Sequence, residues 1–276
     1  MTNHKPKKPP ARMIQDAADE RAKADGCLYD PQRVEHVIEF MTEHLRLYEG
    51  EYAGQPVQLM KWQIDLFSRL FGWVKWSKDW NRYVRRFTRC GLWVPKKNGK
   101  SPTCAMLGLY LLIADGEPGQ KVFSAAKDGR QAGIMHAHAR HMVEQSPVLS
   151  KELKINKATG RIYHELSRST YEVLAGDNIR GQHGLNGSVI IDEVHVVDER
   201  LARVLEYMGA SRSEPLQFEA STAGNNPEGY AKKQFDYGQA VSEGMIYDDS
   251  FLFINYSAPV SYTHLRAHGT DSYLVC

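Results

Sequence analysis

The segment that most constrains the fold of this chain is a short polar turn between two apolar stretches. Residues 94–101, VPKKNGKS, follow one apolar run and precede another at 103–114. A Gly-Lys-Ser turn places backbone N–H groups and an ammonium beside phosphates, and it places a hydroxyl on Mg²⁺. The full phosphate-loop pattern has a glycine five positions before Gly99, where this chain has Val94. An ordinary Asn-Gly turn is therefore the alternative.

A second segment carries two adjacent carboxylates. Residues 188–193, SVIIDE, are an apolar strand that ends at Asp192 and Glu193. A strand-end aspartate can hold the Mg²⁺ of a nucleotide, and the next glutamate can orient or deprotonate an attacking water. Because adjacent strand residues point to opposite faces of a sheet, these two roles require the chain to turn off the sheet here.

Together the two segments predict a nucleoside triphosphatase site. They occur in the expected order, and the roughly ninety residues between them leave room for several βα units. We assign Lys100 to the β- and γ-phosphates, Ser101 and Asp192 to Mg²⁺, and Glu193 to general-base catalysis. The other loop residues expected to bind the nucleotide are Lys97, Asn98 and Gly99.

The composition is that of an ordinary globular protein. The chain has 276 residues, of which 42% are hydrophobic and 25% charged. Its net charge of +2 does not by itself indicate a nucleic-acid partner. The four cysteines have no metal or redox spacing, which favours a reducing compartment. Since no signal peptide and no run of transmembrane length occurs, we expect a cytoplasmic protein without a membrane partner.

Apolar strands that alternate with amphipathic helices predict an α/β fold, with a mainly parallel sheet and helices on both faces. We expect helices over 31–45, 60–73, 101–114, 128–145, 198–208 and 227–241. We expect strands over 87–94, 121–126, 188–191 and 216–222, with short antiparallel strands between 155 and 174.

The two ends of the chain lie outside this pattern. Residues 1–29 are polar and basic and predict a disordered arm, so that the ATPase domain would span 30–258. Residues 259–276 include SYTHLRAH, which resembles the translated read-through of a sequencing adaptor. We therefore expect a non-native tail, and a natural protein that continues beyond about Ala258. A genuine polar tail is the alternative.

Three further positions are candidates for nucleotide contacts. The Gln63 amide offers both a donor and an acceptor to an adenine edge, and a solvated helix glutamine is the alternative. Residues 221–225, STAGN, end a strand and suit a γ-phosphate sensor or a plain turn. Arg180 precedes the carboxylate strand, where it can complete the site of a neighbouring subunit or lie on the surface.

A basic and aromatic stretch before the loop has two interpretations. Arginines alternate there with aromatic residues, which suits either contact with a DNA backbone or the solvated face of a strand. The residues concerned are Trp80, Arg82, Tyr83, Arg85, Arg86, Phe87 and Arg89.

Taken together, these segments resemble the ATPase domain of the large subunit of tailed-phage terminases, the motors that package viral DNA. The resemblance runs from about 59 to 258, and the glycine-poor loop is usual in that family. It rests on Trp62-Gln63, VPKKNGKS at 94–101, SAAKDGRQA at 124–132, Arg180-Gly181, IIDEVH at 190–195 and STAG at 221–224.

The resemblance implies a P-loop NTPase fold of the RecA/ASCE type that uses ATP and Mg²⁺. It makes Gln63 the adenine contact, Thr222 the coupling residue and Arg180 an arginine finger. It also implies translocation of double-stranded DNA into a procapsid by a homo-oligomeric ring, with the terminase small subunit and the portal protein as partners. The location would be the host cytoplasm, transiently at the portal, and a nuclease domain would follow residue 258 in the intact protein.

Two alternatives remain at this stage. A DExH-type helicase fits residues 192–195, DEVH, but its usual third motif is Ser-Ala-Thr, whereas this chain has Ser221-Thr222-Ala223. An assembly protein that binds ATP without hydrolysing it fits the loop, although Glu193 argues against it.

Overall fold

The computed structural model describes residues 5–126, 129–174, 186–197, 205, 208–222 and 228–256. Its helices are α1 (Ala17–Ala24), α2 (Pro31–Glu39), α3 (Lys61–Gly72), α4 (Lys100–Ile113), α5 (Gly129–Gln145), α6 (Leu149–Glu152) and α7 (Tyr230–Ser242). A π-helical turn, Phe40–His44, continues α2.

The strands fall into two sheets. They are β1 (Leu28–Tyr29), β2 (Trp73–Ser77), β3 (Arg82–Arg85), β4 (Arg89–Trp93), β5 (Lys121–Ala125), β6 (Leu153–Ile155), β7 (Ile162–His164), β8 (Ser169–Leu174), β9 (Ser188–Asp192), β10 (Gln217–Ser221) and β11 (Phe251–Asn255). Within the described residues, β1–β3 form a small antiparallel sheet, and the other eight strands form one sheet in the order β11-β4-β10-β9-β5-β8-β7-β6.

The large sheet places the two predicted segments at the same edge. Its strands β11, β4, β10, β9, β5 and β8 run parallel, and only the β7 and β6 edge is antiparallel. Strand β10 lies between β4 and β9, with Ser221 opposite Trp93 and Ala220 opposite Asp192. The carboxyl ends of these three strands therefore meet, which is where open α/β sheets bind ligands.

Helices cover both faces of the sheet, as the sequence predicts. Ile190 of β9 lies in the core that contains α2, α3 and α4, whereas its neighbours Val189 and Ile191 lie in a second core that α7 covers with Ala231. A strand buried on both faces needs apolar residues at consecutive positions, and this explains the unbroken apolar run that the sequence shows there.

Most predicted elements are confirmed within about three residues, and the differences are instructive. Strands β6, β7 and β8 pair antiparallel as expected, and β8 also pairs in parallel with β5. The small β1–β3 sheet and strand β11 were not predicted. The predicted helix over 198–208 lies outside the described residues, apart from Leu205 and Met208.

The expectation of a disordered N-terminal arm is wrong for residues 5–29. Helix α1 packs on the domain, and its Asp19 carboxylate is buried between Arg69 and Arg86, 2.8 Å from a nitrogen of each. Two guanidinium partners offset the cost of burying a carboxylate. Polar composition misled the prediction because these partners lie far away in the sequence.

Both interpretations of the basic stretch are wrong for Arg85 and Arg86, because both side chains are buried. Arg85 donates from Nε to the carbonyl of Phe87 and forms an ion pair with Asp115 at 3.2 Å. These arginines therefore hold the small sheet against the large sheet. Neither of them faces solvent or a DNA backbone.

Candidate active site

The loop between β4 and α4, residues 94–99, turns tightly just before the first turn of α4. Lys97 and Gly99 have φ angles of 66° and 70°, and the Asn98 amide nitrogen donates to the carbonyls of Pro95 and Lys96 at 3.1 and 3.3 Å. Gly99 is the N-cap of α4, in a left-handed conformation that glycine adopts without strain. The N-terminus of a helix is suited to bind an anion, because its first N–H groups have no partner within the helix.

Lys100, at the end of this loop, forms ion pairs with both Asp192 and Glu193. Lys100 Nζ lies 2.5 Å from Glu193 Oε1 and 3.1 Å from Asp192 Oδ1. Burial lowers the pKa of Lys100, but the two carboxylates outweigh this effect and raise the pKa above its ordinary value. The ammonium therefore stays charged at the centre of the site. Beside it, the Ser101 hydroxyl donates to Asp192 Oδ2 at 2.5 Å.

The chain leaves the sheet at Glu193, as adjacent carboxylates with separate roles require. Strand β9 ends at Asp192, and Glu193 has φ 56° and ψ 51°, a left-handed conformation that is uncommon outside glycine. The backbone N–H of Glu193 donates to Asp192 Oδ1 at 2.9 Å, which stabilises the turn. Both carboxylates therefore reach the same ammonium.

Strand β10 brings Ser221 and Thr222 next to the loop. The backbone N–H of Val94, the first loop residue, donates to the Ser221 carbonyl at 3.1 Å. Thr222 is buried, and its hydroxyl has no hydrogen-bond partner among the described residues. Because a buried hydroxyl without a partner is costly, the Thr222 hydroxyl is a candidate to contact a ligand.

The structure places Gln63 beneath the loop, so the alternative of a solvated helix glutamine is wrong. Its Oε1 accepts from the Met60 N–H at 2.7 Å, and its Nε2 donates to the Thr103 hydroxyl at 2.8 Å. Thr103 in turn donates to the Gly99 carbonyl at 2.8 Å. The amide uses one N–H and one lone pair in this chain of contacts, which ties the start of α3 to the loop.

Sequence reasoning missed several residues around the site. His195 Nδ1 lies 3.1 Å from Glu193 Oε2, and its position two residues after the glutamate was the available signal. Tyr256 follows β11 and packs edge-on against Trp62, with 6.1 Å between the ring centroids. It had no signal, since β11 itself was not predicted. Arg180 lies outside the described residues, as do 223–225.

A mainly parallel sheet, a phosphate-type loop at a helix N-terminus and two carboxylates at the end of a nearby strand define a P-loop NTPase of the ASCE type. The family model "Terminase large subunit, ATPase domain" matches residues 61–240, more than half of the chain. The chain belongs to this family. This membership decides against the DExH helicase alternative.

Comparison with one solved structure, the HK97 bacteriophage large terminase, gives the same fold. The HK97 bacteriophage large terminase superimposes with a TM-score of 0.68 at 22% identity, over 83% of this chain and 44% of that one. The ATPase domain of the Thermus phage P74-26 large terminase gives a TM-score of 0.43 at 17% identity, over 60% of this chain and 75% of that one. The large terminase of a thermophilic bacteriophage in complex with ATP-gamma-S gives 0.42 at 15%, over 62% and 39%.

The chain spans less than half the length of the HK97 large terminase. A search of curated proteins gives no match. In the ranges that the structure describes, none of the helices is both long and apolar enough to cross a membrane.

Proposed function

We propose that the chain hydrolyses ATP at the site around Lys100, and that in the intact protein this hydrolysis drives the packaging of viral DNA. The observation that carries the proposal is the meeting of the loop with the carboxylates. A single ammonium lies within 3.1 Å of both Asp192 and Glu193, and the adjacent Ser101 hydroxyl contacts Asp192. The residues proposed to bind phosphate, to hold the metal and to act as general base thus lie side by side.

The residues present fit a magnesium ion. The Ser101 hydroxyl and an Asp192 carboxylate oxygen are hard oxygen donors only 2.5 Å apart, of the kind that Mg²⁺ takes together with nucleotide phosphates. When bound, the ion would neutralise charge on the β- and γ-phosphates. Ser101 and Asp192 are the residues that would hold it.

The remaining residues supply binding and proton transfer. Lys100 would exchange Glu193 for the phosphates, while the turn at 97–99 offers its backbone to them. Glu193 would accept a proton from the attacking water, and its buried Oε2 makes no hydrogen bond in the described part of the chain, with His195 Nδ1 3.1 Å away. Gln63 would contact the adenine from beneath the loop, and Thr222 would sense the γ-phosphate.

Membership of the family supports a proposal for the activity of the whole protein. We place the chain in a homo-oligomeric ring that moves double-stranded DNA through a portal protein into a procapsid, with the terminase small subunit as a further partner. The site of action would be the host cytoplasm. Arg180 would act on the nucleotide of a neighbouring subunit, and a nuclease domain would follow the ATPase domain in the intact protein.

Phosphate release from Mg·ATP, measured with and without double-stranded DNA, tests the proposal. We expect hydrolysis that DNA stimulates and that Lys100→Ala abolishes. ATP binding without any phosphate release, with DNA present, would instead support an assembly protein that binds ATP without hydrolysing it.

A further inference from the structure

The residue that follows the carboxylates by two positions contacts two parts of the site. After Glu193 the chain forms a 3₁₀ turn, Val194–Val196, in which the Val196 N–H donates to the Glu193 carbonyl at 3.0 Å. This turn places the His195 ring between Glu193 and the end of β10. Its Nδ1 lies 3.1 Å from Glu193 Oε2 and 3.4 Å from the Ser221 hydroxyl at the end of β10.

The Glu193 carboxylate therefore lies between two nitrogen-bearing side chains. On the loop side, Lys100 Nζ approaches Oε1 at 2.5 Å, and on the β10 side, His195 Nδ1 lies 3.1 Å from Oε2, a close approach without hydrogen-bond geometry. The Ser221 hydroxyl donates to the Thr222 carbonyl at 2.9 Å, so its lone pairs are available to an N–H from His195. One ring nitrogen thus lies between the catalytic carboxylate and the strand that ends at Thr222.

The packing of this turn does not depend on the histidine. Val194 of the turn and Val197, which follows it, are buried, whereas the His195 side chain is 26% exposed. Substitution of the ring should leave the apolar contacts of the turn intact. An effect on turnover can therefore be separated from an effect on folding.

We propose that His195 is a positioning residue that ties the Glu193 carboxylate to Ser221. The position of the general base then depends on the end of β10, and a displacement of Thr222 by the γ-phosphate moves the carboxylate through the histidine. This inference rests on the proposed ATP hydrolysis. It adds a route by which the nucleotide sensor controls the base, and the route uses side chains already in contact.

Steady-state ATP hydrolysis by three His195 variants of the full chain tests the proposal. Because a misplacement of a catalytic group by about 1 Å costs on the order of 10²-fold in rate, we expect His195→Ala to lower kcat by that order with little change in KM. His195→Asn keeps a nitrogen near the position of Nδ1 and should retain most of the rate. His195→Leu keeps the bulk without a nitrogen and should behave like His195→Ala.

A mutant cycle shows whether the histidine acts through Glu193. If the histidine acts only through Glu193, adding His195→Ala to Glu193→Gln should change the residual rate by no more than about 2-fold, which is the usual scatter of such cycles. Ser221→Ala should lower kcat in the wild-type background but have no further effect beside His195→Ala. A full additional loss in the Glu193→Gln background would overturn the proposal.

The melting temperature and ATP affinity of each variant separate the remaining outcomes. Equal losses for His195→Asn and His195→Ala, together with a lowered melting temperature, would show a structural role and contradict the proposal. If His195→Ala does not fold, Ser221→Ala decides, because an unchanged kcat would exclude a link to β10. If the wild-type chain hydrolyses ATP and His195→Ala does so equally well, this inference alone fails, whereas a wild-type chain without hydrolysis refutes the proposed function.

Discussion

Lys100 Nζ lies 2.5 Å from Glu193 Oε1, although 93 positions separate the two residues in the sequence. The lysine that is proposed to bind phosphate thus neutralises the carboxylate that is proposed to activate the attacking water. If Lys100 binds phosphate as proposed, phosphate and carboxylate compete for one ammonium, and nucleotide binding is linked to the release of Glu193. We expect the site to change its ion pairs when ATP binds, and mutations at either residue should report this exchange.

Lys100→Ala should abolish ATP hydrolysis while the chain stays folded. In the proposed function the lysine supplies charge to the phosphates, and it contributes little to the apolar core, which α4 fills with other side chains. Phosphate release and the melting temperature measure the two effects. Lys96→Ala is the matched control, since Lys96 is an exposed lysine of the same loop and should leave turnover nearly unchanged. A Lys100→Ala variant that hydrolyses ATP normally would refute the assignment of the loop.

Asp19→Ala should destabilise the chain strongly. The substitution removes the carboxylate shared by the buried Arg69 and Arg86, which keep Asp16 and Asp249 as partners, and each lost hydrogen bond between charged groups costs about 1.5–3 kcal/mol. Urea unfolding measures the free energy. Glu20→Ala, at an exposed position of the same helix, should stay within about 0.5 kcal/mol of wild type. Equal stabilities of the two variants would mean that residues 5–29 do not pack as described.

The stability of the chain should fall as the pH drops below about 6.5, in part through His136. Burial lowers the pKa of His136, whose Nε2 donates to the Gly160 carbonyl at 2.9 Å. Between the two pKa values the unfolded chain binds a proton that the folded chain does not bind. The contribution of His136 to the free energy of unfolding is therefore complete above the ordinary pKa and is lost as the pH falls toward the lowered pKa.

His136→Gln removes this titration and keeps an amide donor for Gly160. Melting temperatures at pH 7.5 and 5 should differ less for this variant than for wild type. His36→Gln is the control, because His36 is exposed and also contacts a backbone carbonyl, that of Ala114 at 3.0 Å. An identical pH dependence for His136→Gln and wild type would contradict the expectation.

Arg180 remains a prediction from the sequence. An arginine supplied by a neighbouring subunit is worth about 10³–10⁵ in rate, so the dilute chain should hydrolyse ATP slowly and the rate per subunit should rise with concentration. A mixture of Arg180→Ala and Glu193→Gln subunits should regain activity, because each supplies what the other lacks. Rates that are independent of concentration and of mixing would leave Arg180 an ordinary surface residue.

The parts of the site that the sequence revealed are those encoded within one strand and the turn after it. The loop at 94–101 follows β4 and the carboxylates end β9, so chemistry and local structure coincide in each segment. The insertion of β10 between these strands was not visible, because sheet order depends on contacts between distant segments. The same reason hid Tyr256, which reaches Trp62 only through the pairing of β11 with β4.

Composition misled where charges are buried in pairs. Arg86 lies 67 positions from Asp19 and 163 from Asp249, yet it contacts both at 2.8 Å. A local pattern of arginines cannot show whether carboxylates from elsewhere in the chain will neutralise them. The polar N-terminal segment was therefore expected to be disordered and the basic stretch to face solvent or DNA, whereas Asp19 of the first contacts Arg86 of the second.

The most direct test of the account compares nucleotide binding and turnover in Glu193→Gln. If Glu193 activates water, the variant should bind Mg·ATP as wild type does and hydrolyse it about 10²–10⁴-fold more slowly in a single turnover. The amide keeps the shape of the side chain but cannot accept the proton. A variant that hydrolyses ATP at the wild-type rate, or that loses binding in proportion to turnover, would contradict the assignment of this site.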